Sequence, residues 1–270
     1  MPKNIFYKMN GNGNDFIILF EKDLLDIKLT KEFIAKHSNR NTGIGCDQFV
    51  VLNASKKSDV KMEIYNQDGS IGAACGNASR CVAWLIGKDL GKTNITIEAQ
   101  DRILSSTIFD NNIVSVNMGV ADFNINSLKL IDQYKEGYID FDDDKLGNGY
   151  FVNVGNDHLV FFVDNISLIS AKNHLSKYES HQLFPDHINV SAIEFDGNTI
   201  KQVVYERGAG ETLSCGTAAC AAYAICNKYK NYDGELEVFQ PGGSLIIDKV
   251  DNEIIMKGAI TFEFKSTISN

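Results

Sequence analysis

Cys75-Gly76-Asn77-Ala78-Ser79-Arg80-Cys81-Val82-Ala83 and Cys215-Gly216-Thr217-Ala218-Ala219-Cys220-Ala221-Ala222-Tyr223 begin 140 residues apart in a chain of 270. Each Cys-Gly follows a polar loop containing glycine and opens an apolar, alanine-bearing run of helical spacing. The match extends outward. Gln100 falls on Gln240 at the same offset, and Gly13-Asn14-Asp15 meets Gly155-Asn156-Asp157 at an offset of 142, each followed by a strand-like run at 16–20 and 158–163. Segments 113–119 and 253–258 are both strand-then-glycine. Four matches in one order at nearly constant offset read as an internal duplication.

Two pseudo-symmetric lobes follow, 1–127 carrying Cys75 and 148–270 carrying Cys215, with a connection at about 128–147. The acidic, glycine-bearing stretch 140–149 in this crossing reads as a solvated loop. Alternating runs predict strands at 60–65, 95–99, 113–118, 201–205, 236–239 and 245–248. Helical spacing predicts helices at 30–38, with Thr30 as N-cap, and at 76–90, 170–183 and 216–230. The helix after each repeated cysteine lacks a clear polar face, so a sheet has to wrap around it.

Composition narrows the function. With 44% apolar residues, 23% charged residues and 3 prolines the chain is an ordered globular protein, and its length suits about two domains. The balance of 26 basic against 35 acidic residues, net -9, disfavours nucleic acid and anionic membrane and favours a small-molecule ligand. No apolar run approaches the roughly 20 residues of a membrane span. The first 16 residues show neither a charged nor an apolar signal region, so a cytoplasmic protein is expected. None of the six cysteines forms a C-x-x-C pair, and the histidines show no paired-ligand spacing, so no metal site is expected. Gly91-Lys92-Thr93 imitates the end of a P-loop but has Ile86 where the first glycine belongs, and Gly11-x-Gly13 has Phe16 at the third glycine of a dinucleotide fingerprint.

The repeated cysteines remain. Each lies at a loop-to-helix junction, where unpaired backbone N–H groups and the positive end of the helix dipole favour thiolate. An ordinary thiol with pKa about 8.5 is only about 3% ionised at neutral pH, so such tuning matters for a base. A lone Cys-Gly reads as a small thiol packed on glycine; a symmetric pair reads as chemistry. Pseudo-symmetry would face Cys75 and Cys215 across one cleft, which suits a reaction in which one thiolate removes a proton from a carbon stereocentre and the opposite thiol returns one to the other face. A racemase or epimerase is expected. The N–H groups of Gly76, Asn77, Gly216 and Thr217 are placed to hold an α-carboxylate and the charge that develops on it, so neither a pyridoxal-type lysine nor a metal is obligatory. Cys81, Cys220 and Cys226, inside the helices, and Cys46, beside a strand, read as packing thiols.

The run Glu206-Arg207-Gly208-Ala209-Gly210-Glu211-Thr212-Leu213-Ser214-Cys215-Gly216-Thr217 resembles the C-terminal signature of the diaminopimelate epimerase family. Gly13-Asn14-Asp15-Phe16, Gly43-Ile44-Gly45 with Asp47-Gln48, Asn66 with Asp68-Gly69-Ser70, and Cys75-Gly76-Asn77 with Arg80-Cys81 are similar to the family pattern in the same order. So are Gly155-Asn156 with His158, Asn189, and Pro241-Gly242-Gly243. The resemblance implies an α+β fold of two lobes, each a bent, mostly antiparallel sheet around a central helix. It implies cofactor-independent interconversion of LL- and meso-2,6-diaminopimelate in lysine and peptidoglycan precursor synthesis, with Cys75 and Cys215 as acid and base. Implied substrate contacts are Asn14, Gln48, Asn66, Gly76, Asn77, Asn156, Asn189, Glu206, Arg207, Gly216 and Thr217; His158 and Glu206 match the pair that modulates the thiols. A homodimer is also implied. Ala78, Ser79 and Asp157 depart from the usual residues, all of them small or loop changes. The rival readings are another cofactor-independent isomerase, such as a proline racemase or phenazine-type enzyme, a redox protein cycling the two cysteines, and an amino-acid binding module.

Overall fold

A computed structural model of the chain describes residues 4–72, 75–124, 134–135 and 137–269. In chain order its elements begin β1 (Ile5–Gly11), β2 (Asn14–Phe20), α1 (Lys31–Ser38), β3 (Gln48–Asn53), β4 (Val60–Asn66), α2 (Gly76–Leu90), β5 (Asn94–Ala99), β6 (Arg102–Ile108) and β7 (Ile113–Gly119). Two short strands follow, β8 (Tyr134–Lys135) and β9 (Tyr138–Asp140), then β10 (Asn148–Asn153), β11 (Asp157–Phe162), α3 (Ser176–Glu179), β12 (Asn189–Phe195) and β13 (Thr199–Glu206). The chain continues with β14 (Gly210–Thr212), α4 (Gly216–Tyr229), β15 (Leu236–Gln240), β16 (Gly243–Val250), β17 (Glu253–Ala259) and β18 (Thr261–Thr267).

Contacts divide the chain into two units, 1–116 with 258–270, and 117–257. In the first, β1 pairs antiparallel with β2, β2 parallel with β3, β3 antiparallel with β4, β4 parallel with β5, and β5–β6–β7 form an antiparallel meander. The second repeats this order with β10, β11, β12, β13, β15, β16 and β17. The duplication therefore lies in the pairing pattern as well as in the cysteine loops. Two boundaries differ from the expected 1–127 and 148–270. β18 pairs antiparallel with β1, from Ile5↔Thr267 to Asn10↔Thr261, so the end of the chain completes the first sheet. β9 pairs with β10, and Asp122 bridges Asn153, so much of the expected connection is part of the second unit; 125–133 and 136 lie outside the described residues.

Each central helix is enclosed because it has no face to offer water. α4 is buried from Gly216 through Cys226 and touches β10, β11, β12, β13, β15 and β16. α2 packs on β1, β2, β5 and β6, and it closes at Gly91, whose φ of +65° suits a residue without Cβ. Gly11 lets α2 approach β1: a Cβ there would stand 3.2 Å from Nη2 of the buried Arg80 and 3.3 Å from the Asn77 carbonyl. Thr30 caps α1 as expected, its Oγ1 accepting the Phe33 N–H at 3.2 Å, a contribution of ~1 kcal/mol.

The helix expected over 170–183 is broken. A wide turn, Ala171–Leu175, leads into α3, which ends at Glu179. The His174 ring accepts the Ser170 N–H at 2.9 Å, and the Ser176 hydroxyl donates to the Lys172 carbonyl at 2.7 Å, competing for the acceptor that an α-helix offers the Ser176 N–H. The acidic stretch is also more than a solvated loop. Asp143 accepts from Lys177 (2.7 Å), Tyr178 (2.6 Å) and the N–H groups of Lys145 and Leu146, which hold its carboxyl well below the usual range despite the opposing effect of burial. No helix among the described residues is long and apolar enough to cross a membrane.

Candidate active site

Each unit gathers its own set of the expected residues at one end of its sheet. In the first, the register pairs Phe16 with Gln48 and Gln48 with Asn66, so Asn14, Gln48 and Asn66 cluster at neighbouring strand ends. Cys75 is the N-cap of α2, with extended torsions (φ -119°, ψ 119°), and its thiol lies 3.8 Å from Asn14 Oδ1. Asn77, one position into the helix beyond Gly76, is buried, and among the described residues its Oδ1 has no hydrogen-bond partner; nor does the buried Oε1 of Gln48. Asn66 Nδ2 donates to Ser70 Oγ at 3.0 Å, inside a tight turn through Asp68-Gly69.

An ion network braces these strand ends. The buried Lys8 ammonium binds the Asp15 carboxylate and the Gly45 carbonyl. Arg40 grips Asp15 through both terminal nitrogens (3.1 and 2.7 Å) and reaches Asp47 at 2.6 Å. Asp15 and Asp47 also bind each other's backbone N–H groups at 2.9 and 3.1 Å. Burial would raise the Asp15 pKa, but Arg40 and Lys8 outweigh it and hold the carboxyl well below the ordinary range. Burial leads in the opposite sense at Asp47, whose pKa is raised.

In the second unit Cys215 caps α4 with nearly the same torsions (φ -130°, ψ 113°) and is 6% exposed. Its sulfur is 3.4 Å from Thr217 Oγ1. Burial and then the Glu206 carboxylate push this thiol well up, while Thr217 and the Ala218 N–H draw it down; Glu206 also accepts a hydrogen bond from the thiol. Glu206 is held from its other side by the Thr212 hydroxyl. His158, on β11, is fully buried, with Nε2 2.9 Å from Asn156 Oδ1 and, among the described residues, no partner at Nδ1. Burial, aided by the positive Arg207, pushes its pKa down to about 3, so the ring is neutral. Asn189 lies beside His158 in register, donates to the Asp157 carbonyl at 3.0 Å and accepts the Arg207 N–H at 3.1 Å. Asn156, His158, Asn189, Glu206 and Arg207 thus stand on the adjoining ends of three strands.

The chain's likeness to known proteins agrees with this geometry. The sequence profile of the diaminopimelate epimerase family matches residues 6–124 and 150–263. The diaminopimelate epimerase of Pelagibacter ubique is 39% identical over 262 residues, covering 94% of this chain and 95% of that one. This chain belongs to the diaminopimelate epimerase family. The diaminopimelate epimerase of Rickettsia bellii is likewise 39% identical over 257 residues, with 94% and 93% covered. Solved structures share the fold at low sequence identity. A PhzF-family phenazine biosynthesis protein of Bacillus anthracis superposes with a TM-score of 0.71 at 16% identity over all of both chains. A Pseudomonas aeruginosa protein described as a predicted epimerase gives 0.73 at 12% identity over 99% of this chain and 100% of that one.

Sequence reasoning passed over three parts of the site. Lys8 and Arg40 carry no motif: Asp15 and Asp47 lie seven residues from them, but the contacts that join the two pairs, Lys8 to Gly45 and Arg40 to Asp15, span 37 and 25 residues. Thr212 lay inside the quoted signature without a role. Gln202 and Gln240 do have a signal, each a polar residue at a core-facing position of an alternating strand.

Proposed function

We propose that this chain interconverts LL- and meso-2,6-diaminopimelate by two-base proton transfer, supplying lysine and peptidoglycan precursors. One cysteine of the pair Cys75 and Cys215, as thiolate, removes the α-proton; the other, as thiol, delivers a proton to the opposite face. The supporting observation is that both units, built to one pairing pattern, set a cysteine as N-cap of their enclosed helix. There the helix N–H groups of Gly76, Asn77, Gly216 and Thr217 stabilise negative charge on sulfur and on the substrate's α-carboxylate. Glu206 tunes Cys215, against which it lies, and neutral His158 serves as the second modulating group.

The remaining contacts suit an amino acid with two charged ends. Gln48 Oε1 and Asn77 Oδ1, buried acceptors without a partner among the described residues, fit an ammonium, and Arg207 fits a carboxylate, with Asn14, Asn66, Asn156 and Asn189 completing the polar set. None of the six cysteines is in a disulfide, which suits a reducing, cytoplasmic setting. A homodimer is part of the proposal. All seven residues of β18 are exposed, including Phe262 and Phe264, and among the described pairings the strand has a partner only at its β1 edge. A free edge with aromatic side chains suits pairing with a second copy.

Proton NMR of LL-diaminopimelate in deuterium oxide tests the reaction. Reduced protein should remove the α-proton signal and form the meso isomer, and Cys75→Ala and Cys215→Ala should each abolish this. Folded, reduced protein that leaves the signal intact would reject the epimerase assignment.

A further inference from the structure

We propose that Gln202 and Gln240 are positioning residues that clamp the Cys215 backbone, and with it the thiol and the donors aimed at it, before substrate arrives. The proposal rests on the assignment of Cys215 as an acid–base thiol. Gln240, at the end of β15, accepts the Cys215 N–H at 3.0 Å and the Ser214 hydroxyl at 2.8 Å through Oε1. Its Nε2 donates to the Cys215 carbonyl at 3.0 Å and to Gln202 Oε1 at 2.7 Å. Gln202, in β13, spends its own Nε2 on the Ala218 carbonyl at 2.9 Å. One carboxamide therefore holds both polar groups of the residue that caps α4, and a second holds the first turn of the helix. Both side chains are buried; the Gln240 amide makes four hydrogen bonds and each polar atom of the Gln202 amide has a partner, the kind of buried polar network that stiffens a structure.

Cys215 is the point where extended chain turns into helix, so rocking of its torsions would swing the sulfur. The Ala218 N–H, a donor toward that sulfur, belongs to the residue whose carbonyl Gln202 grips. Donors stabilise a developing charge most when they need no reorganisation during reaction. The clamp removes that motion at both ends of the turn.

The first unit shows that the fold does not require these amides. In its ladder Met62 of β4 stands beside Ala99 of β5. In the second unit Ile200 pairs with Val238 and Lys201 with Phe239, and the next step of that register sets Gln202 beside Gln240. The counterpart of Gln240 is therefore Ala99, one residue before the Gln100 expected from the offset. Gln100, at φ +53°, instead donates to the Gly72 carbonyl at 3.3 Å. Equivalent places in one fold thus carry a buried apolar pair on the Cys75 side and a carboxamide pair on the Cys215 side.

Transplanting the apolar pair tests the clamp. Gln240→Ala, Gln202→Met and the double variant should keep the wild-type far-UV spectrum, since the first unit already packs these residues. Gln240→Ala should lower kcat at least tenfold with KM changed less than threefold. Gln202→Met should lose less, and the double variant should lose less than the product of the singles because both amides serve one turn. Site-resolved alkylation by iodoacetamide, read by mass spectrometry without substrate, should show the pH midpoint of Cys215 rising in each variant and that of Cys75 unmoved. Folded variants with wild-type kcat and an unmoved Cys215 midpoint would overturn the proposal; should Gln240→Ala fail to fold, Gln202→Met decides alone. Absence of α-proton exchange by the wild type would reject the epimerase assignment separately, while the alkylation profile would still decide the clamp.

Discussion

The Oγ1 of Thr217 lies 3.4 Å from the sulfur of Cys215, two residues away on the first turn of the helix that the cysteine caps. The hydroxyl draws the thiol pKa down against the larger upward effects of burial and Glu206. Thr217→Val keeps the shape and removes the donor. It should slow epimerisation about tenfold at neutral pH, the equivalent of ~1.4 kcal/mol, and move the rise of the pH–rate profile to higher pH. A profile identical to wild type would show that the hydroxyl does not serve the thiolate.

Glu206 should act on Cys215 with two opposite signs. Its charge raises the thiol pKa, so Glu206→Gln should speed iodoacetamide trapping of Cys215 several-fold at pH 7.5. The same change removes a proton acceptor from the thiol and should lower kcat by about 10²-fold. Parallel loss of alkylation and turnover would point to a structural role instead.

The buried His158 ties stability to pH. Its folded pKa, about 3, lies below the ordinary 6.5, so the unfolded chain takes up a proton that the folded chain refuses. Stability from this residue is whole above pH 6.5 and drains as pH falls toward 3. Between pH 7 and 5 the wild type should lose about 2 kcal/mol more than His158→Gln, measured from urea midpoints. Equal losses would mean that the ring is not held neutral by the fold.

Breaking the Lys8–Asp15 pair should cost more than its neighbours suggest. Lys8 is buried, so Lys8→Met leaves a largely buried carboxylate short of one cation and should destabilise the protein by about 3 kcal/mol. Arg40 is half exposed, and Arg40→Met should cost about 1 kcal/mol or less. Comparable urea midpoints for the two variants would contradict this ordering.

Light scattering coupled to size exclusion should find wild-type protein as a dimer and Phe264→Arg as a monomer, the arginine placing charge on the exposed face of β18. A wild-type monomer at tens of micromolar would reject the dimer.

Local signals carried much of this molecule. The Thr30 cap, the starts of α2 and α4 at Cys-Gly, and half of the described strands could be placed because capping and alternation act within a few residues. What remained hidden depends on long-range pairing. Asn14, Gln48 and Asn66 meet only through the β2–β3–β4 register, and β18 finds β1 across some 250 residues. The expected Gln100–Gln240 match erred by one residue because sequence offset ignores strand register, which equates Gln240 with Ala99.

That same pairing sets the order in which the chain can mature during synthesis. The strand that covers the outer edge of β1 leaves the ribosome about 250 residues after it. At ~5–20 residues per second the nascent β1–β2 hairpin waits more than about ten seconds with that edge open, a template for stray strand pairing. The unit translated first is therefore the one finished last.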